Sequence, residues 1–137
     1  FSAERGRGAH LNGTPLPLRA PATELRRALA GVELKRIARE LAGRLAAWPP
    51  YASQRNFGAS TLDWCYTAAG RFDVYVHGGQ KLWDYAAGAL ILEEAGGRMS
   101  CLTGSFDTAN PWERSVVASA SPELFALWRD WLKAAGA

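Results

Sequence analysis

The chain has 137 residues, 48% hydrophobic and 21% charged, with a net charge of +3. These values exclude a disordered chain and allow one ordinary domain with a real core. No apolar run reaches the roughly 18 to 20 residues that cross a bilayer, and no signal peptide is visible.

The charge is uneven. Residues 1–44 carry nine Lys and Arg against four Asp and Glu, whereas residues 45–137 carry seven against nine. The basic bias, which includes Lys35, Arg36, Arg39 and Arg44, reads as a solvated helix face rather than a nucleic-acid surface. Cys65 and Cys101 make neither a disulfide framework nor a zinc site. Buried free thiols fit a reducing cytoplasm. The chain opens on Phe1-Ser2-Ala3-Glu4 without an initiator Met, as a truncated piece of a longer protein would.

Residues 1–18 read as short strands around the turn signals Gly6, Gly8 and Asn12-Gly13, with Pro15 and Pro17 holding the exit extended. Residues 19–23 form a linker. Residues 24–34 are ambiguous, with Glu24–Ala28 favouring helix and Leu29–Leu34 favouring strand. Ile37, Leu41 and Leu45 predict an amphipathic helix over Lys35–Ala47, stopped by Pro49-Pro50.

Tyr51–Phe57 is a strand candidate. A second helix over residues 59–69 would bury Leu62, Cys65, Tyr66 and Ala69, and Gly70 would end it. Phe72, Val74 and Val76 alternate with Arg71, Asp73 and Tyr75 as in a half-buried strand, broken at His77-Gly78-Gly79. The helix from about Asp84 to Gly96-Gly97 has almost no polar face, which predicts full burial. Arg98–Leu102 and Ser115–Ser119 are strands. Ser121-Pro122-Glu123 starts the last helix, whose buried stripe is Leu124, Leu127, Trp128, Trp131 and Leu132. The alternation of strands and helices predicts an α/β layered domain.

Asp84 is the strongest candidate for chemistry. A carboxylate at a helix start suits the positive end of the dipole and could ligate a hard cation such as Mg²⁺. The plainer alternative is an N-cap acid, and one carboxylate is too few for a catalytic metal cage. Gly58, Ala59 and Ser60 stand at another helix start, where free N–H groups can meet an anion or a sugar hydroxyl. His77 could touch a ligand or act as a base. Asp63 and Asp73 are expected to face solvent or to cap. Glu93-Glu94 opposes the dipole at a helix C-terminus, so a structural partner for at least one is expected.

Several motifs together resemble the inositol monophosphatase family. Gly6-Arg7-Gly8-Ala9-His10-Leu11-Asn12-Gly13 is similar to its "GxGA-x-x-NG" strand-turn segment. Arg55-Asn56-Phe57-Gly58-Ala59-Ser60-Thr61-Leu62-Asp63 is similar to "R-x-x-G-S/T-A-A-L-D". Ala68-Ala69-Gly70-Arg71-Phe72-Asp73 resembles "A-A-G-R-x-D". Trp83-Asp84-Tyr85-Ala86-Ala87-Gly88, followed by Glu94-Ala95-Gly96-Gly97, resembles the C-terminal signature "W-D-x-A-A-G … E-A-G-G".

The resemblance covers the C-terminal half of the family's layered α-β-α-β-α sandwich. It implies that residues 1–20 are terminal strands of the first sheet and that residues 21–137 form the C-terminal α/β domain. It implies a cytoplasmic Mg²⁺-dependent phosphatase of inositol or related polyol or sugar phosphates. Asp84 would be a metal ligand, and Gly58, Ala59, Ser60 and His77 would bind substrate. The metal-binding Glu and the "D-P-[IL]-D-G-T" motif of the family's N-terminal half do not occur in this sequence. This piece alone is therefore expected to be inactive, to pair with the missing half and to form homo-oligomers through exposed apolar surface. His77 stands where inositol-cleaving members usually have Glu, which admits a more anionic substrate. A nucleoside- or fructose-bisphosphate phosphatase and a non-catalytic interaction module are the alternatives.

Overall fold

The computed structural model describes all 137 residues. The N-terminal turns produce the expected short strands. β1 (Ser2–Ala3), β2 (Ala9–Leu11) and β3 (Thr14–Pro15) form a small antiparallel sheet. The ambiguous segment divides into a 3₁₀ turn at Leu25–Arg27 and strand β4 at Leu29–Glu33.

Helix α1 (Arg39–Ala47), strand β5 (Ser53–Arg55), helix α2 (Ser60–Ala68), strand β6 (Val74–Lys81) and helix α3 (Leu82–Glu94) follow. Strands β7 (Arg98–Ser100) and β8 (Glu113–Ser119) and helix α4 (Pro122–Ala134) complete the chain. The large sheet has the order β5-β4-β6-β8-β7. Its first three strands run parallel, and β8 and β7 are antiparallel to their neighbours.

The period-two alternation of β6 divides the core. Val74 and Val76 join Ala30, Val32 and Val117 under α1 and α4, which contribute Leu41, Leu45, Leu124, Trp128 and Leu132. Tyr75 joins Val116 and Ala118 on the other face, under Trp64 of α2 and Tyr85 and Leu92 of α3. The small sheet lies beyond α3 and adds Ala9 to that second cluster. The layers are therefore helix, sheet, helix, small sheet. β6 is buried on both faces rather than half-buried, because helices cover each side.

Several sequence expectations are corrected by packing. The first helix starts at Arg39 rather than Lys35, because the Lys35-Arg36 segment crosses over β6 at Gly78. A Cβ on Gly78 would lie 2.0 Å from the Arg36 carbonyl oxygen, so this crossing requires glycine. His77-Gly78-Gly79 accordingly does not break β6. It makes an irregularity in the pairing with β8, and the strand runs on to Lys81.

Helix α2 buries Trp64, Thr67 and Ala68; of the expected stripe Ala69 is buried, Cys65 and Tyr66 are half-buried and Leu62 is exposed. In α4 the buried position expected for Leu127 is taken by Phe125. Helix α3 is buried on one side only, through Tyr85, Gly88, Ile91 and Leu92, while Trp83, Ala86 and Ala87 are exposed. The Ser121 cap is as expected, its hydroxyl accepting the Leu124 N–H at 3.2 Å.

Asp63 and Asp73 are both buried, contrary to expectation. The Asp73 carboxylate accepts the N–H groups of Ala22 and Leu29, each at 2.8 Å, and a 3.3 Å contact from Arg19 Nη2. It fastens residues 19–29 to the start of β6. Both members of the acidic pair have partners: Glu93 meets Arg5 at 3.4 Å on the surface, and Glu94 is held by backbone. It accepts the N–H of Gly6 at 3.0 Å and of Gly8 at 2.9 Å, which anchors the small sheet to the end of α3. These two bonds hold its pKa below the usual value.

The contact between α2 and α3 is tightest at Gly88, where a Cβ would lie 2.3 Å from Trp64 Cβ. Alanine gains about 1 kcal/mol of helix propensity over glycine. Overpacking costs about 1–3 kcal/mol, and the Trp64 Cβ cannot swing aside. With the overpacking cost at its upper end, Gly88→Ala is expected to lose about 2 kcal/mol net, read as a lower urea midpoint. An unchanged midpoint would contradict this packing.

Candidate functional site

Glu33 ends β4 and pairs in register with His77 on the parallel neighbour β6. Asp84 follows on the first turn of α3. Carboxyl ends of parallel strands leave a crevice above the sheet, where ligands of open α/β folds bind. Here that crevice is a cleft of about 210 Å³, lined by Glu33, Lys35, Arg36, His77, Gly79, Lys81 and Asp84. No apolar side chain lines it.

Asp84 occupies the third helical position of α3, not the N-cap, which is Lys81. Its Oδ2 accepts the Lys81 N–H at 2.9 Å, and Oδ1 has no hydrogen bond. Glu33 differs. One oxygen accepts the Lys35 N–H at 2.8 Å and the other accepts Asn56 Nδ2 at 3.0 Å. Partial burial opposes its ionisation, but those two bonds, with His77 and Lys35 nearby, outweigh burial and hold its pKa below the usual value. Asp84 is therefore the one cleft carboxylate with an oxygen open to a cation. No group of three or more His, Cys, Asp and Glu side chains is placed to hold a metal ion. The donor set fits one corner of a hard-cation site.

His77 Nδ1 accepts the Gly79 N–H at 3.1 Å, which places the ring proton on Nε2. Burial pushes its pKa down, and Arg36 adds to this, against the opposing pull of Glu33 and Asp84. The ring is neutral at pH 7 and can donate from Nε2. The cations are partly committed: Lys81 Nζ lies 2.5 Å and Arg36 Nη1 3.5 Å from Glu113.

Gly58, Ala59 and Ser60 adjoin the cleft without lining it. The Gly58 N–H donates to Asn56 Oδ1 at 2.9 Å, and Asn56 in turn holds Glu33. Gly58 has φ +68°, a conformation natural to glycine. The sequence reading thus named His77 and Asp84, which share the cleft, but missed Glu33, Lys35, Arg36 and Lys81. Their signal was position at the ends of adjacent parallel strands.

Beneath α2 lies a buried polar chain. Trp64 Nε1 donates to Gln80 Oε1 at 2.8 Å, and Gln80 Nε2 donates to the Tyr75 hydroxyl at 2.5 Å. Ser60 and Asp63 also face that hydroxyl. Asp63 Oδ1 is buried without a partner, and burial pushes the Asp63 pKa up to about 6, partly relieved by Tyr75 and reinforced by Glu33.

A folded-state pKa above the unfolded value favours the protonated form in the fold. The contribution is full below about pH 4 and is lost as pH rises through about 6. The chain should lose about 2–3 kcal/mol of stability across that window from this group alone. Asp63→Asn should remove this pH dependence and be the more stable protein at pH 7. Urea midpoints at pH 4.5 and pH 7 test this; parallel slopes for both proteins would contradict it.

The layered α/β fold thus sets a polar cleft with one open carboxylate at the carboxyl ends of its parallel strands. The sequence model of the inositol monophosphatase family matches residues 1–132. The chain belongs to this family. It is 38% identical over 120 residues to the Nus factor SuhB of Pseudomonas aeruginosa, covering 78% of this chain and 42% of that protein. It is 38% identical over 133 residues to the inositol-1-monophosphatase of Mycobacterium bovis, covering 90% and 44% respectively. The crystal structure of the extragenic suppressor protein SuhB from Bartonella henselae superposes with TM-score 0.81 at 26% identity, covering 96% of this chain and 51% of that one. The chain spans about half the length of these relatives. No helix is long and apolar enough to cross a membrane.

Proposed function

We propose that the chain is the C-terminal portion of a Mg²⁺-dependent phosphomonoesterase acting on inositol or related polyol or sugar phosphates. The observation that carries this is Asp84, held by the Lys81 N–H through one oxygen and open at the other. Residues 1–20 would be the end of the family's first sheet, and residues 21–137 its C-terminal α/β domain.

Asp84 Oδ1 would hold the cation. Mg²⁺ bound there supplies charge neutralisation at the phosphoryl and leaving oxygens and activation of water. His77 Nε2 donates to a substrate hydroxyl, and Gly58, Ala59 and Ser60 at the start of α2 meet the polyol, with the Ala59 and Ser60 N–H groups free to donate and that of Gly58 held by Asn56. With one open carboxylate the chain alone is inactive and works with the half its relatives carry. Exposed Trp48, Trp83 and Trp112 favour homo-oligomers in a cytoplasmic setting.

A second reading within the same superfamily is a nucleoside- or fructose-bisphosphate phosphatase. Lys35, Arg36 and Lys81 in the cleft, with His77 in place of the family's usual Glu, favour a doubly anionic substrate. Phosphate release by a longer protein containing this chain, on inositol 1-phosphate and on adenosine 3′,5′-bisphosphate, separates the two. The first reading expects the faster rate on the monoester. No metal-dependent release from a broad panel would instead support a non-catalytic interaction module.

A further inference from the structure

At the far end of α3, about 14 Å along the helix from Asp84, a second and larger groove of about 860 Å³ opens between α3 and α4. Strand β7 runs through it. β7 is the terminal strand of the large sheet and pairs only with β8, so the outward N–H and C=O groups of Arg98–Ser100 have no strand beside them. No proline lies in this three-residue edge, and its exposed charge, Arg98, suits it to an acidic strand rather than to any strand.

The walls carry apolar, cationic and acidic side chains, the last being Glu93 and Asp107. Ala89 and Leu90 of α3 and Phe125 of α4 are apolar, and Arg98, Arg129 and Lys133 are cationic. Arg129 and Lys133 stand one turn apart on α4. Arg98 and Lys133 have no carboxylate within salt-bridge distance, and Arg129 reaches only its neighbour Asp130, at 3.7 Å. The Arg129 Nε is buried with no hydrogen-bond partner. The other basic residues are committed. Arg5 pairs with Glu93, and Arg114 is stacked between Tyr85 and Phe106 while donating to the carbonyls of Phe106, Ala109 and Asn110.

We infer that the β7 edge is a docking site for an extended acidic peptide of a partner protein, which adds a strand beside Arg98–Ser100. Main-chain bonds to β7 supply affinity, and alternate side chains of the peptide meet the apolar and cationic walls. Charge complementarity selects an acidic occupant. A second copy of the chain paired edge to edge would bring two sets of unpaired cations together, which disfavours self-pairing. The inference does not depend on the catalytic reading.

The test uses the chain as it stands and a fluorescein-labelled decapeptide of alternating Glu and Val. Anisotropy should show saturable binding, and amide shifts in NMR should centre on Arg98–Ser100. N-methylation of the peptide's alternate amides should abolish binding, because strand pairing needs those N–H groups. The double variant Arg129→Glu with Lys133→Glu should weaken binding about tenfold or more. If that variant fails to fold, the N-methylated peptide still decides, since it leaves the chain untouched. Equal binding of the N-methylated peptide, tighter binding of a U10 RNA, or self-association whose amide shifts centre on Arg98–Ser100 would each overturn the proposal.

Discussion

Asp73→Ala is expected to cost the chain about 3–5 kcal/mol. The substitution removes the acceptor of two short backbone bonds, from Ala22 and Leu29, and leaves the Arg19 guanidinium without its partner. Each buried donor left unsatisfied costs about 1–3 kcal/mol. Against a usual total of about 5–15 kcal/mol, that loss places the protein near its unfolding threshold. Asp73→Asn keeps one acceptor oxygen and should cost less. Urea denaturation of the two variants reads the difference. A loss below about 1 kcal/mol for Asp73→Ala would mean that residues 19–29 are held by other contacts.

Asp84→Asn should separate function from fold. The amide keeps an oxygen that can accept the Lys81 N–H, so the start of α3 survives. Removing the charge forfeits its interaction with the helix dipole, about 0.3–1 kcal/mol. It also removes the one open carboxylate of the cleft. In a longer protein containing this chain, metal-dependent turnover should fall at least about 100-fold, in line with loss of a charge-bearing ligand. The thermal midpoint should move by only a few degrees. A large stability loss with retained turnover would reverse the assignment and make Asp84 a structural residue.

Asp84 and Asp73 differ in how much of their placement is local. Asp84 stands beside tryptophan at the start of a helix of small residues, and both helix and position are local properties. The partners of Asp73 lie 44 and 51 residues away in sequence, so its burial depends on a tertiary arrangement that no local pattern encodes. Asp63 is similar. It falls on the α2 face chosen by Trp64, and that choice is set by the close approach of Gly88 from α3. Leu62, Cys65, Tyr66 and Ala69 offer an equally good helical stripe, and periodicity alone cannot rank the two faces.

The same logic explains β6. His77-Gly78-Gly79 carries the composition of a strand break. It continues as strand because the Lys35-Arg36 segment crosses over Gly78 and needs a residue without a side chain. That crossing also brings Lys35 and Arg36 to the cleft, and it is why they were not legible as site residues. One helix start is legible from its residues alone. Ser121-Pro122 is a helix start by chemistry alone, and the glycines at 6 and 8 were readable as turns, although their tie to Glu94 was not.

Asp84 is proposed as the cation-holding carboxylate of a phosphomonoesterase site. Its most direct test is phosphate release from inositol 1-phosphate by a longer protein containing this chain, wild type and Asp84→Asn, with Mg²⁺ and after chelation. Release should require Mg²⁺ and be lost in Asp84→Asn while the fold remains. Release that persists in Asp84→Asn, or that is indifferent to chelation, would contradict it.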